Sequence, residues 1–327
     1  MYEKFYGFRQ NPFRMSPDPS FYYATARHNE ALANLTYGVL MQKGFIVLTG
    51  EVGTGKTLLV RCLLDTLYRS RVAHAYILNP LLSRDDLLNM ILTDFGVREV
   101  KRTRGEMLQQ FHEFLIQAYR RNEICALVID EAQLLTPELL EEIRLMTNIE
   151  TSKHKLLQIV LVGQPELDEM LDSPELRQVK QRVALRYHLE PISDMEMRGY
   201  IERRLEVAGA PGRLLQIFPA PALARVLHYA HGIPRLVNTL CDSALVSGYG
   251  RQMASLTPQV VDEVANDLRL NLKESAMKMT GTPFSSRSGK VAGEDPGQKT
   301  LTRTLLRLAK LLDEASDADD KKNGVAG

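Results

Sequence analysis

Gly50-Glu51-Val52-Gly53-Thr54-Gly55-Lys56-Thr57 lies between an apolar run at residues 45–49 and a stretch of helix formers that begins at Leu58. The spacing is Gly, four residues, then Gly-Lys-Thr, directly after one expected strand and at the opening of the next expected helix. Glycines let backbone N–H groups curl round phosphate oxygens, and a helix N-terminus adds the positive end of its dipole. Lys56 offers a positive charge to the β and γ phosphates, and the Thr57 hydroxyl can ligate magnesium. Gly50, Glu51, Val52, Gly53, Thr54, Gly55, Lys56, Thr57 and Leu58 are therefore the expected nucleotide-binding residues, with ATP and Mg2+ as cofactors. A glycine-rich turn that binds nothing is the bland alternative, and the flanking strand and helix argue against it.

Outward from this loop, short apolar runs alternate with helical stretches, the sign of a parallel sheet wrapped by helices. Strands are predicted at residues 45–49, 74–78, 126–129, 159–162 and 184–189, which makes residues 43–191 a five-stranded α/β domain. Residues 28–42 read as an amphipathic helix with Ala31, Leu35 and Val39 at helical spacing, so residues 1–42 comprise an aromatic-rich linker and that helix. After Pro191 the strands stop. Ser193 with Glu196 makes a capping box for a helix to about Ala208. Residues 220–230, 234–248 and 257–270 add further helices, giving a small α-helical lid over 192–272. Ser, Gly, Pro and Lys crowd residues 273–300, which read as a flexible linker. Leu301, Leu305, Leu308 and Leu312 mark one face of an amphipathic helix within 301–327, ahead of an acidic tail.

Asp130-Glu131 closes the apolar run 126–129. Behind such a strand Asp130 is expected to hold hydrated magnesium, and Glu131 to orient or polarise the attacking water. An acidic pair after a strand otherwise serves as a helix cap, and the loop upstream favours catalysis. Gln164, at the end of the next strand, either senses the γ-phosphate or its water, or is a turn residue with a solvated amide. Arg177, Arg182 and Arg186 lead into the last strand, where one could serve as an arginine finger and a solvated side chain is the commoner fate. Arg235, in Gly232-Ile233-Pro234-Arg235, sits in the first turn of a helix, where a cation opposes the dipole; reaching back to the nucleotide explains it better. His28, His188, His228 and His231 lack metal-ligand spacing and read as packing or surface residues.

Bulk properties exclude more than they assign. Hydrophobic residues at 44% and charged residues at 25% describe an ordinary globular chain, and a net charge of +1 leaves nucleic-acid contact to local basic surfaces. Cys62, Cys125 and Cys241 are far apart and read as reduced core residues. The first residues lack a secretory pattern and the apolar runs are too short to span a bilayer, so a cytoplasmic location is expected.

Taken together these elements resemble an AAA+ ATPase, and more narrowly the ATPases related to general secretion pathway protein A. The resemblance covers roughly residues 1–270. It rests on the loop above and on Met1-Tyr2-Glu3-Lys4-Phe5-Tyr6-Gly7-Phe8, Asn11-Pro12-Phe13 and Pro17-Asp18-Pro19-Ser20-Phe21-Tyr22-Tyr23. Further along it rests on His28-Asn29-Glu30-Ala31-Leu32, Asp130-Glu131-Ala132-Gln133, Gly163-Gln164-Pro165-Glu166-Leu167 and Gln181-Arg182-Val183. The resemblance implies that Arg182 is the arginine finger acting in trans within a ring-shaped homo-oligomer. It also implies that Gln164 is sensor 1, that Arg235 is sensor 2, and that the N-terminal aromatics help enclose adenine. No transmembrane helix or cell-wall-binding domain follows the lid, a layout similar to stand-alone members associated with exopolysaccharide and protein-sorting (PEP-CTERM type) loci. The implied partners are envelope export or polysaccharide machinery, with peripheral placement at the inner membrane through a partner. The alternative is a DNA-associated regulator resembling transposition ATPases, for which Lys101, Arg102 and Arg104 would contact phosphate.

Overall fold

The apolar runs assemble into one parallel sheet: β1 (Phe45–Gly50), β2 (Ala73–Ile77), β3 (Cys125–Ile129), β4 (Leu157–Gly163) and β5 (Val183–Leu189), in the order β2-β3-β4-β1-β5. The computed structural model describes residues 1–16, 18–78, 80–150 and 155–270. The expected linker at 273–300 and the helix at 301–327, with Leu301, Leu305, Leu308 and Leu312, lie outside the described residues.

Side chains alternate across the sheet with period two. Phe45 and Val47 of β1, Leu127 and Ile129 of β3, and Ile159 and Leu161 of β4 enter a core beneath the helices Arg84–Asp94, Arg104–Arg120 and Pro137–Met146. Ile46 and Leu48, Val128, and Val160 and Val162 face the opposite core, under the helices Ala26–Leu40 and Lys56–Arg69. Burial on both faces explains why the three inner strands read as continuous apolar runs. β5, at an edge, alternates in exposure instead. Leu78 lies just past β2 and is 55% exposed, so the second strand ends at Ile77.

Strand order matters for function because β4 runs between β1 and β3. The three segments that leave these strands, the 50–57 loop, Asp130-Glu131 and Gln164, therefore emerge side by side at the carboxyl edge, where ligands bind in open α/β sheets.

Beyond β5, Ser193 and Glu196 form the expected capping box for the helix Asp194–Val207. The helices Ala220–Ala230, Pro234–Gly250 and Pro258–Asp267 pack with it around a separate core. That core also contains Tyr2, Tyr6, Phe8 and Phe13. Residues 2–6 form a one-turn helix whose aromatics at i and i+4 point the same way. The Tyr6 hydroxyl donates to the Met253 carbonyl at 2.9 Å, and the Tyr2 hydroxyl donates to Asp242. The opening aromatics are thus lid core, at roughly 1.5–3 kcal/mol per fully buried ring. All three cysteines are free; Cys125 and Cys241 are buried, whereas Cys62 is only half-buried.

Candidate functional site

The 50–57 loop folds round its own lysine. Lys56 begins a 14-residue helix, is 8% exposed, and its Nζ donates to the carbonyls of Gly50 at 2.7 Å and Glu51 at 3.0 Å. Burial lowers its pKa, opposed by the carboxylates of Glu131 and Asp130. Gly55 takes φ +106°, and a Cβ there would meet His28 Nε2 at 3.2 Å. His28 Nε2 donates to the Thr54 carbonyl at 3.1 Å, which leaves Nδ1 to accept from the Thr25 hydroxyl at 2.7 Å. His28 is thus a buried prop for the loop, more than the packing residue its sequence context indicated.

At the end of β3, Asp130 is 1% exposed. Its Oδ1 accepts the Glu131 backbone N–H at 3.0 Å, and its Oδ2 accepts the hydroxyls of Thr57 and Tyr76, each at 3.2 Å. Burial, helped by the neighbouring Glu131 carboxylate, raises its pKa, and those three donors offset only part of the rise. One carboxylate and one hydroxyl meeting beside a phosphate-binding loop suit magnesium, which keeps several waters and takes few protein oxygens. Asp130 and Thr57 would hold it, Asp130 through water, and the ion would neutralise charge on the phosphates. Among the described residues no cluster of three His, Cys, Asp or Glu side chains could form a dedicated cage.

Glu131 caps a 3-10 turn with its backbone in the left-handed region, φ 52° and ψ 37°. Gln164 Nε2 donates to Glu131 Oε2 at 3.2 Å, which brings the two expected catalytic groups together across β3 and β4.

A cavity of about 340 Å³ runs from this cluster to the lid. Residues Val52 to Leu58, Glu131 and Gln164 line one end, while Tyr22, Tyr23, Tyr200, Arg204 and Asn238 line the other. Of the N-terminal aromatics only Tyr22 and Tyr23 reach it, because Tyr2, Tyr6, Phe8 and Phe13 are spent on the lid core. Arg235 bridges the two ends. Its backbone N–H donates to the Gly53 carbonyl at 3.2 Å, and its side chain lines the cavity. Arg204, which sequence reading missed, is buried at 6% exposure and donates to the Tyr200 hydroxyl at 2.8 Å and the Pro12 carbonyl at 2.7 Å. It bolts the lid to the N-terminal segment.

Arg182 is not part of this cluster. It precedes Val183, which pairs with Phe45 at the start of β1, whereas the loop leaves the other end of that strand. Five residue steps of strand separate the two ends by roughly 17 Å. Its Nη2 donates to Asn148 Oδ1 at 3.1 Å. Arg186 is paired with Asp168 and Asp172, and Arg177 is exposed. In the basic trio at 101–104, Arg104 is tied to Asp85 and Glu142.

Residues 39–171 match the family model described as AAA domain. General secretion pathway protein A of Aeromonas hydrophila is 44% identical over 252 residues, 77% of this chain and 45% of that protein. The match thus spans less than half of the relative's length. Among solved structures, the ORC2 protein of Aeropyrum pernix in its ADPNP-ADP complexes has a TM-score of 0.58 at 18% identity, over 79% of this chain and 71% of that one. Drosophila ORC bound to DNA has a TM-score of 0.61 at 16% identity, over 85% and 68% of the respective chains. At such identities the likeness is one of fold. Among the described residues no helix is long and apolar enough to cross a membrane.

Proposed function

We propose that this chain, an AAA+ ATPase resembling general secretion pathway protein A, hydrolyses Mg-ATP in the cavity between the 50–57 loop and the lid, with Arg182 supplied by a neighbouring copy. The observation that carries the reading is the convergence of Lys56, Thr57, Glu131, Gln164 and Arg235 on one cavity, with Asp130 hydrogen-bonded to Thr57 beside it, from four separate chain segments. Backbone N–H groups of the loop and Lys56 hold the β and γ phosphates. Glu131 takes the proton of the attacking water as its oxygen bonds to the γ-phosphorus and the bond to the β-phosphate oxygen breaks, giving ADP and phosphate. Gln164, hydrogen-bonded to Glu131, stands where it can feel the γ-phosphate, and Arg235 links that state to the lid.

Arg182 lies a strand's length from its own loop, so it serves a nucleotide only when another copy presents one. That placement supports a homo-oligomer, with a ring as its simplest closed form. ATP turnover per subunit measured against protein concentration tests this. It should climb for the native chain, stay flat and low for Arg182→Ala, and vanish for Glu131→Gln. A native turnover independent of concentration and insensitive to Arg182→Ala would overturn the oligomeric part.

The work done is assigned to envelope secretion or an exopolysaccharide-associated system, with the protein cytoplasmic and held peripherally at the inner membrane by a partner. Support comes from the 44% identity to a protein named for general secretion. A DNA-associated role is the second reading, supported by a fold shared with an ORC structure bound to DNA. The pairing of Arg104 with two carboxylates weakens the basic patch it would need. Duplex DNA added to the turnover assay separates them: salt-sensitive stimulation would select the DNA reading.

A further inference from the structure

We propose that Gln133 is a positioning residue for hydrolysis, fixing the Glu131 carboxylate jointly with Gln164 so that one oxygen is held by amides and the other is left for water. The inference rests on the reading of Glu131 as the group that acts on water.

Gln133 Nε2 donates to Glu131 Oε2 at 2.6 Å, and Gln164 Nε2 donates to the same oxygen at 3.2 Å. The other end of the Gln133 amide closes the circuit, since its Oε1 accepts the Gln164 backbone N–H at 3.1 Å. One glutamine side chain therefore ties the carboxylate at the end of β3 to the backbone at the end of β4. Glu131 Oε1 has no hydrogen-bond partner among the described residues. The division of labour is asymmetric: Oε2 is saturated by two charge-assisted bonds, and Oε1 is free.

Two backbone features show that this arrangement is built in. Glu131 holds a left-handed backbone, uncommon for a residue with a side chain and a recurrent mark of functional sites. From that backbone the carboxylate is not aimed by helix or strand geometry, so it depends on side-chain partners. Position 163 is glycine, and a Cβ there would lie 2.9 Å from Gln133 Oε1, closer than real Cβ contacts come. A side chain at 163 would push the amide off the Gln164 backbone. Reaction rates depend steeply on the placement of the reacting groups, so a loosened carboxylate costs turnover and leaves nucleotide affinity intact.

The test compares the native chain with Gln133→Met, which keeps the side-chain length but has no amide, Gln133→Ala, Glu131→Gln and the double variant Gln133→Met/Glu131→Gln. Single-turnover hydrolysis and the Kd for a fluorescent ATP analogue are measured for each. Both Gln133 variants should lose roughly tenfold or more in the hydrolysis rate with Kd within about twofold of native, and the double variant should be no slower than Glu131→Gln. Unchanged Kd also reports an intact fold. The proposal is overturned if Gln133→Met turns over within about twofold of native while Glu131→Gln is inactive, or if the Gln133 change slows the Glu131→Gln background by its full native factor. Native-rate hydrolysis by Glu131→Gln would remove the premise itself, a different failure from either of these.

Discussion

The backbone N–H of Arg235 donates to the carbonyl of Gly53 at 3.2 Å, so the lid's central helix begins directly on the phosphate-binding loop. The contact is close: a Cβ at Gly53 would lie 2.6 Å from Arg235 Cβ, and Gly53 has φ +86°. Gly53→Ala is therefore expected to push the lid off the loop and to strain the turn by about 1–3 kcal/mol. Titration with a fluorescent ATP analogue should show weaker binding for Gly53→Ala, and the thermal midpoint without nucleotide should fall. Binding equal to the native chain would show that lid and loop are not coupled through this contact.

His28 gives the site an acid limit. Burial lowers its pKa from the usual 6.5, while its bond to the Thr54 carbonyl and the nearby Glu196 carboxylate favour the charged form and offset part of that shift. Because the folded chain binds the proton less readily than the unfolded one, the His28 contribution is complete above about pH 6.5 and is lost as pH falls toward the folded pKa. The stability advantage of the native chain over His28→Gln, from urea midpoints, should be larger at about pH 7.5 than at about pH 5.5. An advantage that is equal at both, or grows on acidification, would contradict a neutral buried imidazole.

Asp130 is assigned to the ion and Lys56 to the phosphates, which separates their phenotypes. Asp130→Asn should retain nucleotide binding in the absence of magnesium and lose the gain that magnesium gives, whereas Lys56→Ala should bind weakly in both conditions. Calorimetric titration with and without MgCl2 distinguishes the two patterns.

Phe13 is 1% exposed and meets Phe218 of the lid edge-on, with ring centroids 6.3 Å apart. Phe13→Ala should destabilise the protein by about 3–5 kcal/mol, as large-to-small core substitutions at aromatic positions do. Chemical denaturation measures the loss. A change below about 1 kcal/mol would mean that the N-terminal segment is not part of the lid core.

Much of this was legible because the chemistry lies in contiguous residues. Gly50 to Thr57 carry their own context, and the doubly buried strands read as apolar runs. Relations between distant segments were not. That β4 separates β1 from β3, and so sets Gln164 beside Glu131, is a property of strand order and not of any local pattern. His28 acts through a residue 26 positions away, and Arg204 reaches Pro12 across 192. Tyr76 supports Asp130 from an edge strand, where a tyrosine reads only as a strand former. The opening aromatics look like a loop until the lid that buries them is in place.

The central claim is a site completed by a second copy, and mixing two inactive variants tests it most directly. Glu131→Gln carries an intact Arg182 but a disabled site, and Arg182→Ala carries an intact site but no finger. Steady-state ATP turnover is measured for each alone and for equimolar mixtures at rising total concentration. The mixture is expected to exceed the sum of its components, because some interfaces pair the intact site of one variant with the intact Arg182 of the other. A mixture that never exceeds that sum, at concentrations where the native chain turns over freely, would contradict catalysis in trans by Arg182.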